Sequence, residues 1–541
     1  MRAPLTAILL GSLLACRPSP GPSPASEPSS SPPPASEAEA PSASAPASPP
    51  RAALPEHPPQ PCIDRPTIPE GEPTIFLRCL PGGWQSMTIS PGPSLAADLA
   101  AIEAAPPPRR LELHAHANPE LDRYLGAVRS EVLTELTLRR GEALDLHALT
   151  RLEHLRRLVL EGTRTGELTV LPELPELREL ALLLADLRGS GGLPALPSLE
   201  VLELVDTRGL DEVSLTGLGS LRALDLSGAA SVPRDAIVAL TTLERLALPR
   251  TELDELDWLV ALPHLVALDL RATKVSDLAP LAELAGLREL RVASTAVADL
   301  RPLAGLTGLE LVDVQDTAVS ELGPLASGTA LREVVLDGSK VRDLGPLSGH
   351  AELEVLSAVG TAVSDLRPLA DHHALRIVRL RDTAVSDLSP LASHRGLREL
   401  ELRNTAVSDL GPLRELSELT LLTLGGTRVS DLSPLSRMSA LTLLDLADTP
   451  VRDPSPLAGL PRLETLWLQG TRVRDVAPLA ELPALDGLNL CDTPVRELSA
   501  LHERDGIDWI DVPRQYPRSR LARDQRALPR TAIERCSPRP R

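Results

Sequence analysis

Three histidines, His350, His372 and His394, are evenly spaced along the chain and are the side chains best suited to chemistry. If the chain completes one solenoid turn between successive histidines, the three side chains stack on adjacent turns. Neutral imidazoles in such a stack could bind Zn²⁺ or respond to pH. The same position in other units is apolar, as at Leu306. We therefore favour a locally loosened, partly exposed patch, helped by Gly328 one unit earlier, and expect no tightly bound metal and no other cofactor.

A periodic row of carboxylates is the second candidate for chemistry. Each carboxylate precedes a short segment that usually contains proline, where it can accept a backbone N–H at the start of a helical turn. A stacked row could also attract Ca²⁺, which takes several oxygen ligands, but capping is the interpretation that we favour. The row comprises Asp277, Asp299, Glu321, Asp343, Asp365, Asp387, Asp409, Asp431, Asp453, Asp475 and Glu497.

The sequence carries no catalytic motif that we recognise. It has no glycine-rich phosphate loop, no HExxH and no GxSxG. The formal net charge is −19, which disfavours general binding to the phosphates of nucleic acids. These features indicate a protein that is not an enzyme, with no nucleic-acid partner and no evident small-molecule substrate.

Leucine recurs at one position of a 22-residue unit without interruption. The unit reads L-x-x-L-x-L followed by T-x-V-x-D-L-x-P-L, as in residues 287–303. Its first half alternates, which predicts a short strand with Leu290 inward and Arg291 outward. Stacked units would pair these strands into one parallel sheet. The leucines are Leu133, Leu155, Leu177, Leu199, Leu221, Leu243, Leu265, Leu287, Leu309, Leu331, Leu353, Leu375, Leu397, Leu419, Leu441, Leu463 and Leu485, with Ile507 in a partial unit and Leu111 in an earlier degenerate one.

This unit resembles the leucine-rich repeat, and its length and tail are similar to the internalin-type subclass. The resemblance covers residues 111–512. It implies an α/β solenoid, a horseshoe with a parallel β-sheet on the concave face and short helical turns on the convex face. The family usually has asparagine at the ninth position of the unit. Most units here have a hydroxyl residue instead, such as Thr295, which can bond to the same kind of backbone group.

The N-terminus resembles that of a bacterial lipoprotein. Residues 1–15 have the character of an export signal and end in Leu-Leu-Ala directly before Cys16. This lipobox-like ending implies acylation of Cys16 by palmitate and a lipid anchor in the membrane of the cell envelope, with the outer membrane as the expected location. The alternative is an ordinary signal peptide followed by a free cysteine. Residues 16–61, rich in Pro, Ser and Ala, are expected to form a disordered linker.

Both ends of the predicted sheet need protection, because an exposed edge invites pairing with other chains. Residues 62–110 are expected to form the N-terminal cap region. The tail, residues 513–541, holds nine arginines and two acidic residues. We favour a C-terminal cap that crosses the end of the sheet. An arm that binds an anionic polymer is the alternative.

With Cys16 acylated, four cysteines remain, and they allow three pairings. An exported chain meets an oxidising compartment, in which disulfides persist. We favour Cys62–Cys79 and Cys491–Cys536, because each pair lies within or beside one end of the solenoid.

The outward strand positions vary in charge and size, as a binding surface requires. Tryptophan and arginine are frequent at interface hot spots, and the candidates for partner binding are Arg291, Asp313, Arg379, Arg381, Glu401, Arg403 and Trp467. The sequence therefore indicates a non-catalytic envelope lipoprotein whose concave face binds a macromolecule, expected to be a protein. A passive envelope spacer and a metal-dependent function at the histidines are the alternatives.

Overall fold

A computed structural model describes residues 74–80, 84–90, 109–114, 133–139, 146–162, 174–188, 193–504 and 506–537. The chain divides into two units, Met1–Gln60 and Pro61–Arg541, and every described residue belongs to the second. The predicted export signal, the linker, Cys16 and Cys62 lie outside the described residues. None of the described helices is long and apolar enough to cross a membrane.

The described residues form 22 strands that join, in chain order, into one sheet. The first two strands pair antiparallel, and from the second onward each strand pairs parallel with the next. The strands are β1 Thr74–Leu80, β2 Trp84–Ser90, β3 Arg110–His114, β4 Glu135–Arg139, β5 Arg157–Glu161, β6 Glu179–Leu183, β7 Val201–Glu203, β8 Ala223–Asp225, β9 Arg245–Ala247, β10 Ala267–Asp269, β11 Glu289–Arg291, β12 Leu311–Asp313, β13 Glu333–Val335, β14 Val355–Ser357, β15 Ile377–Arg379, β16 Glu399–Glu401, β17 Leu421–Thr423, β18 Leu443–Asp445, β19 Thr465–Trp467, β20 Gly487–Asn489, β21 Trp509–Val512 and β22 Ala532–Arg535.

Paired residues of neighbouring repeat strands lie 22 residues apart in the sequence, so the repeat period sets the register of the sheet. Leu268, Leu290 and Val312 pair directly across β10, β11 and β12. The inward side chains are almost wholly aliphatic, and Leu290 and Val292 are fully buried while Arg291 between them faces outward, as predicted. Every repeat leucine of the series is buried as well. One continuous apolar core therefore runs along the solenoid, and each unit buries its inward face against its neighbours.

The turn that follows each strand from β5 to β20 contains one residue with positive φ. Successive units place Ser294, Asp316 and Gly338 at this point, with φ of 57°, 52° and 65°. Glycine, aspartate and asparagine adopt this left-handed conformation at the lowest cost, which accounts for their frequency at the position. The next residue is usually threonine, and the hydroxyl of Thr295 donates to the carbonyl of Val292 at 2.6 Å. The predicted hydroxyl-to-backbone bond is therefore present.

Short 3₁₀ helices lie on the side opposite the strands, and the predicted carboxylate row begins them. Asp277 is the residue just before the N-cap Leu278, and its carboxylate accepts the backbone N–H of Ala279 at 2.8 Å. Eight further aspartates of the row make the equivalent bond, whereas Glu497 accepts the hydroxyl of Ser499. The 3₁₀ helices are Leu146–Arg151, Leu210–Glu212, Asp257–Ala261, Ala279–Glu283, Arg301–Leu303, Gly323–Leu325, Gly345–Leu347, Arg367–Leu369, Ser389–Leu391, Gly411–Leu413, Ser433–Arg437, Ser455–Leu457, Ala477–Glu481 and Ser499–Leu501, and α1 is Arg234–Ile237.

The C-terminal tail folds against the last repeats through helix α2, Arg518–Ala527, and strand β22. A disulfide joins Cys491 to Cys536, which is one of the two favoured pairings. The pairing of Cys62 with Cys79 stays a prediction. Strand β22 pairs parallel with β21, so the tail lies along the edge of β21 as one further strand. Its role as a C-terminal cap stays a prediction.

Candidate binding face

The outward side chains of the strands form the concave face, and the predicted partner-binding residues lie on it. Arg291, Asp313, Arg379, Glu401 and Trp467 project from strands β11, β12, β15, β16 and β19, and each is half-buried. Arg381 and Arg403 stand two residues after the ends of β15 and β16. The structure thus brings the charged candidates together in the middle of the face, while Trp467 lies further along, near its C-terminal end.

Most charges of the middle strands are already matched within the chain. Arg291 pairs with Glu289 at 3.1 Å, and Arg379 reaches Glu399 and Glu401 at 3.1 Å each. These pairs connect residues of the same or neighbouring strands. A partner that used these arginines would have to replace bonds that exist in the free protein, so they contribute less to affinity than unpaired groups would.

Several outward residues are buried, which the alternating pattern does not predict. Asp445 is 1% exposed and accepts the backbone N–H of Ala447, with Arg403 at 3.5 Å. Asp269 is covered in the same way by Arg271, whose guanidinium lies 2.7 Å from the carboxylate. Burial raises the pKa of the Asp445 carboxyl group. Neighbouring strands lie about 4.8 Å apart, so a long arginine side chain can close over a short acid of its own unit, as Arg271 does, or of a later unit, as Arg403 does.

Beyond β16 the character of the concave face changes. Leu421, Leu443 and Trp467 are half-buried on its surface, and Trp509 of β21 joins them. Trp509 is not among the candidates predicted from the sequence. It is the first residue of its strand, equivalent to Glu289, whereas the candidates on the strands are all third residues, equivalent to Arg291. The alternation of residues 509–512, in which Ile510 and Val512 are buried, was the available signal.

The three histidines stack as expected, but they are buried rather than partly exposed. His350, His372 and His394 are at most 1% exposed, so the expectation of a loosened, exposed patch is wrong. Each Nε2 lies 2.9–3.0 Å from the carbonyl oxygen of a leucine in the preceding unit. A carbonyl can only accept, so Nε2 carries the proton and donates. This bond allows a polar ring to replace leucine in an apolar core.

The geometry of the histidine stack does not resemble a metal site. Each Nδ1 atom is buried and has no hydrogen-bond partner. Among the residues that the structure describes, no three histidine, cysteine, aspartate or glutamate side chains are arranged to hold a metal ion. Burial lowers the pKa of His350 and of His394, which favours the neutral imidazole. The stack is therefore a buried, hydrogen-bonded part of the core.

Three solved structures place this architecture among known proteins. An internalin from Listeria monocytogenes is 28% identical, with a TM-score of 0.50 over 52% of this chain and 83% of that one. The ectodomain of the receptor kinase GASSHO1/SCHENGEN3 from Arabidopsis thaliana is 20% identical, with a TM-score of 0.52 over 79% and 57% of the two chains. TLR13 in its complex with ssRNA13 is 17% identical, with a TM-score of 0.52 over 75% and 74%. No family model and no curated protein matches the sequence.

The fold, the register and these neighbours define the class of protein. The chain is a leucine-rich-repeat protein whose single sheet, parallel from its second strand onward, lines the concave face of a solenoid. The lower-identity neighbours support the fold alone. The repeating unit of the structure is 22 residues long in this part of the chain, because successive 3₁₀ helices end at residues 303, 325 and 347.

Proposed function

We propose that this protein is a non-catalytic lipoprotein of the bacterial cell envelope, of the internalin-like subclass, that binds a protein partner on its concave face. The observation that carries the proposal is the open sheet. Among the described residues no second layer covers the outward face, although its strands present arginine, carboxylate, aliphatic and tryptophan side chains. A continuous surface of such variety suits macromolecular recognition better than a small-molecule site.

The net charge of the chain and the ligands of two structural neighbours help to indicate the class of partner. The Arabidopsis neighbour was solved in complex with CASPARIAN STRIP INTEGRITY FACTOR 2, and TLR13 in complex with ssRNA13. A formal net charge of −19 opposes binding of an RNA backbone to this chain, so a protein is the favoured partner. A lipid on Cys16 would hold the solenoid at the membrane, and the spacer after it would give the concave face reach. A passive spacer would need no unpaired tryptophans on that face.

Arginine substitutions on the two faces test this function. Val335→Arg and Thr423→Arg place a long cation on the concave surface, where both native residues are half-buried. Ala304→Arg and Ala392→Arg make the same kind of change after the 3₁₀ helices of the opposite face, at exposed positions. Binding of the partner recovered from envelope extracts should weaken at least tenfold for the concave variants and stay within about twofold for the controls. Equal binding by all four variants would exclude the concave face as the binding surface.

A further inference from the structure

The concave face of the last strands combines tryptophan with an open surface. Trp467 and Trp509 project from β19 and β21 on either side of β20. A Cβ atom on residue 487 would lie 2.6 Å from Cζ2 of Trp509, so Gly487 is what allows this indole to lie across the neighbouring strand. Neither indole N–H has a hydrogen-bond partner among the described residues, whereas that of Trp258 donates to the carbonyl of Glu255. We call the surface of Trp467, Gly487 and Trp509 the tryptophan face.

Acidic side chains border the tryptophan face and lack ion-pair partners. Glu464, Asp486 and Asp508 each directly precede β19, β20 and β21, and backbone hydrogen bonds link them in succession. Asp511 and Glu534 lie opposite each other on β21 and β22. None of the five carboxylates lies within 4.0 Å of an arginine or lysine nitrogen among the residues that the structure describes.

Two arginines at this end of the sheet, Arg504 and Arg535, direct their guanidinium groups to backbone carbonyls. Arg504 directs its guanidinium to the carbonyl oxygens of Pro483 and Leu485, at 3.4 and 3.5 Å. Arg535 donates to the carbonyl of Tyr516. In the middle of the concave face, by contrast, arginines pair with Glu289, Glu399 and Glu401. The tryptophan face therefore carries an excess of negative charge that the chain itself does not compensate.

The electrostatic state of these acids reflects that excess. The pKa of Asp486 is raised by burial and further by the neighbouring charges of Glu464 and Asp508. The pKa of Asp511 is raised by burial and by the charge of Glu534. A cation placed among these groups would relieve their mutual repulsion, which is the electrostatic complementarity that selects a partner.

We propose that the tryptophan face docks an extended, arginine- or lysine-containing segment of the partner protein. The proposal rests on the proposed function and names the chemistry of its partner. Cationic side chains attract both carboxylates and the faces of tryptophan rings. The unpaired indole N–H groups can donate to backbone carbonyls, which a peptide supplies and a simple metal cation or polyamine does not.

The spacing of the surface suits an extended chain that crosses the strands. Neighbouring strands set the carboxylates of Glu464, Asp486 and Asp508 about 4.8 Å apart per strand. Alternate side chains of an extended peptide lie about 6.6 Å apart on one side, so basic residues at every second position can reach successive carboxylates with little adjustment. A bound peptide would then place its cationic side chains along the carboxylates and its backbone carbonyls near the indole N–H groups.

The test measures binding of a fluorescent decapeptide of alternating arginine and serine to the full chain, with a decapeptide of alternating glutamate and serine for comparison. Asp486→Asn combined with Asp508→Asn should weaken binding of the arginine peptide about tenfold, because two attractive pairs are lost. Trp467→Ala should weaken it about threefold, through loss of the cation–π contact. The glutamate peptide should not bind.

A matched control separates local recognition from attraction to an acidic protein. Glu283→Gln combined with Glu481→Gln removes the same charge from the last residues of two 3₁₀ helices, neither of which has an ion-pair partner among the described residues. This variant should bind the arginine peptide within about twofold of the parent. Equal weakening by both double variants would overturn the proposal, since only net charge would then matter.

The outcome is distinguishable from failure of the proposed function. Concave variants such as Thr423→Arg report on partner binding without any change in the acidic residues. If they abolish partner binding while the Asp486/Asp508 variant leaves both peptide and partner binding intact, the concave face binds a partner but not through a basic segment. A melting temperature within about 2 °C of the parent would show that the variants are folded.

Discussion

Replacing Asp524 with alanine should loosen the C-terminal end of the sheet by about 3 kcal/mol. Asp524 is fully buried, its Oδ1 lies 2.7 Å from Nε2 of His502, and its Oδ2 accepts the hydroxyl of Tyr516 at 2.7 Å. Loss of the carboxylate would leave a buried tyrosine hydroxyl and an imidazole without this partner. The carboxylate connects helix α2 to the last repeat, so the effect should be local.

Hydrogen exchange measures this effect directly. Amides of β22, Ala532–Arg535, should exchange about a hundredfold faster in Asp524→Ala, while those of the central strands keep the parent rate. The Cys491–Cys536 disulfide stays intact in this variant, so the tail remains tethered. Ser519→Ala on the exposed side of α2 is the control and should not change exchange. Unchanged β22 exchange in Asp524→Ala would show that the buried cluster does not hold the end of the sheet.

Acid should destabilise the solenoid through its buried histidines. Burial lowers the pKa of His350 and His394 from the ordinary value near 6.5, so the unfolded chain binds more protons than the folded chain just below that pH. The free energy of unfolding therefore falls as the pH falls from about 6.5 towards the folded-state pKa values. The loss is about 1.4 kcal/mol per pH unit for each of these two histidines.

A triple variant, His350→Leu, His372→Leu and His394→Leu, isolates this effect. Leucine already occupies the equivalent position at Leu306 and Leu416, so the free energy of unfolding at pH 7.5 should change by about 1 kcal/mol or less. Between pH 6.5 and 5 the slope of unfolding free energy against pH should become shallower than in the parent. His264→Gln, at an exposed histidine, should keep the parent slope. Identical slopes in all three proteins would assign acid sensitivity to other groups.

Periodicity predicted the parts of the fold that depend on one unit and its identical neighbours. Leu290 faces the core and Asp277 begins a helical turn because the same local pattern recurs in every unit. The burial of Asp445 could not be read in this way, since it depends on Arg403, which lies two units earlier in the chain. The alternating pattern specifies the direction of a side chain but not what its neighbours place above it.

The histidines and the C-terminal end show the same limit. Whether a histidine can be buried depends on a carbonyl in the preceding unit, such as that of Leu325 for His350, and no local signal reports that bond. At the end of the sheet the register also changes. A constant 22-residue period would pair Ile510 with Ala532, but Ile510 pairs with Ile533. A search at constant period therefore stops before β22.

The central claim is that the concave face binds a protein, and site-specific photocrosslinking tests it most directly. A photoreactive phenylalanine analogue would replace Val335 or Thr423 on the concave face, and Ala304 or Ala392 on the opposite side, in the full chain expressed in its native cells. We expect the same protein to be crosslinked from both concave positions, and no crosslinked protein from the two control positions. Crosslinks to that protein from Ala304 and Ala392 alone, with none from Val335 or Thr423, would contradict it.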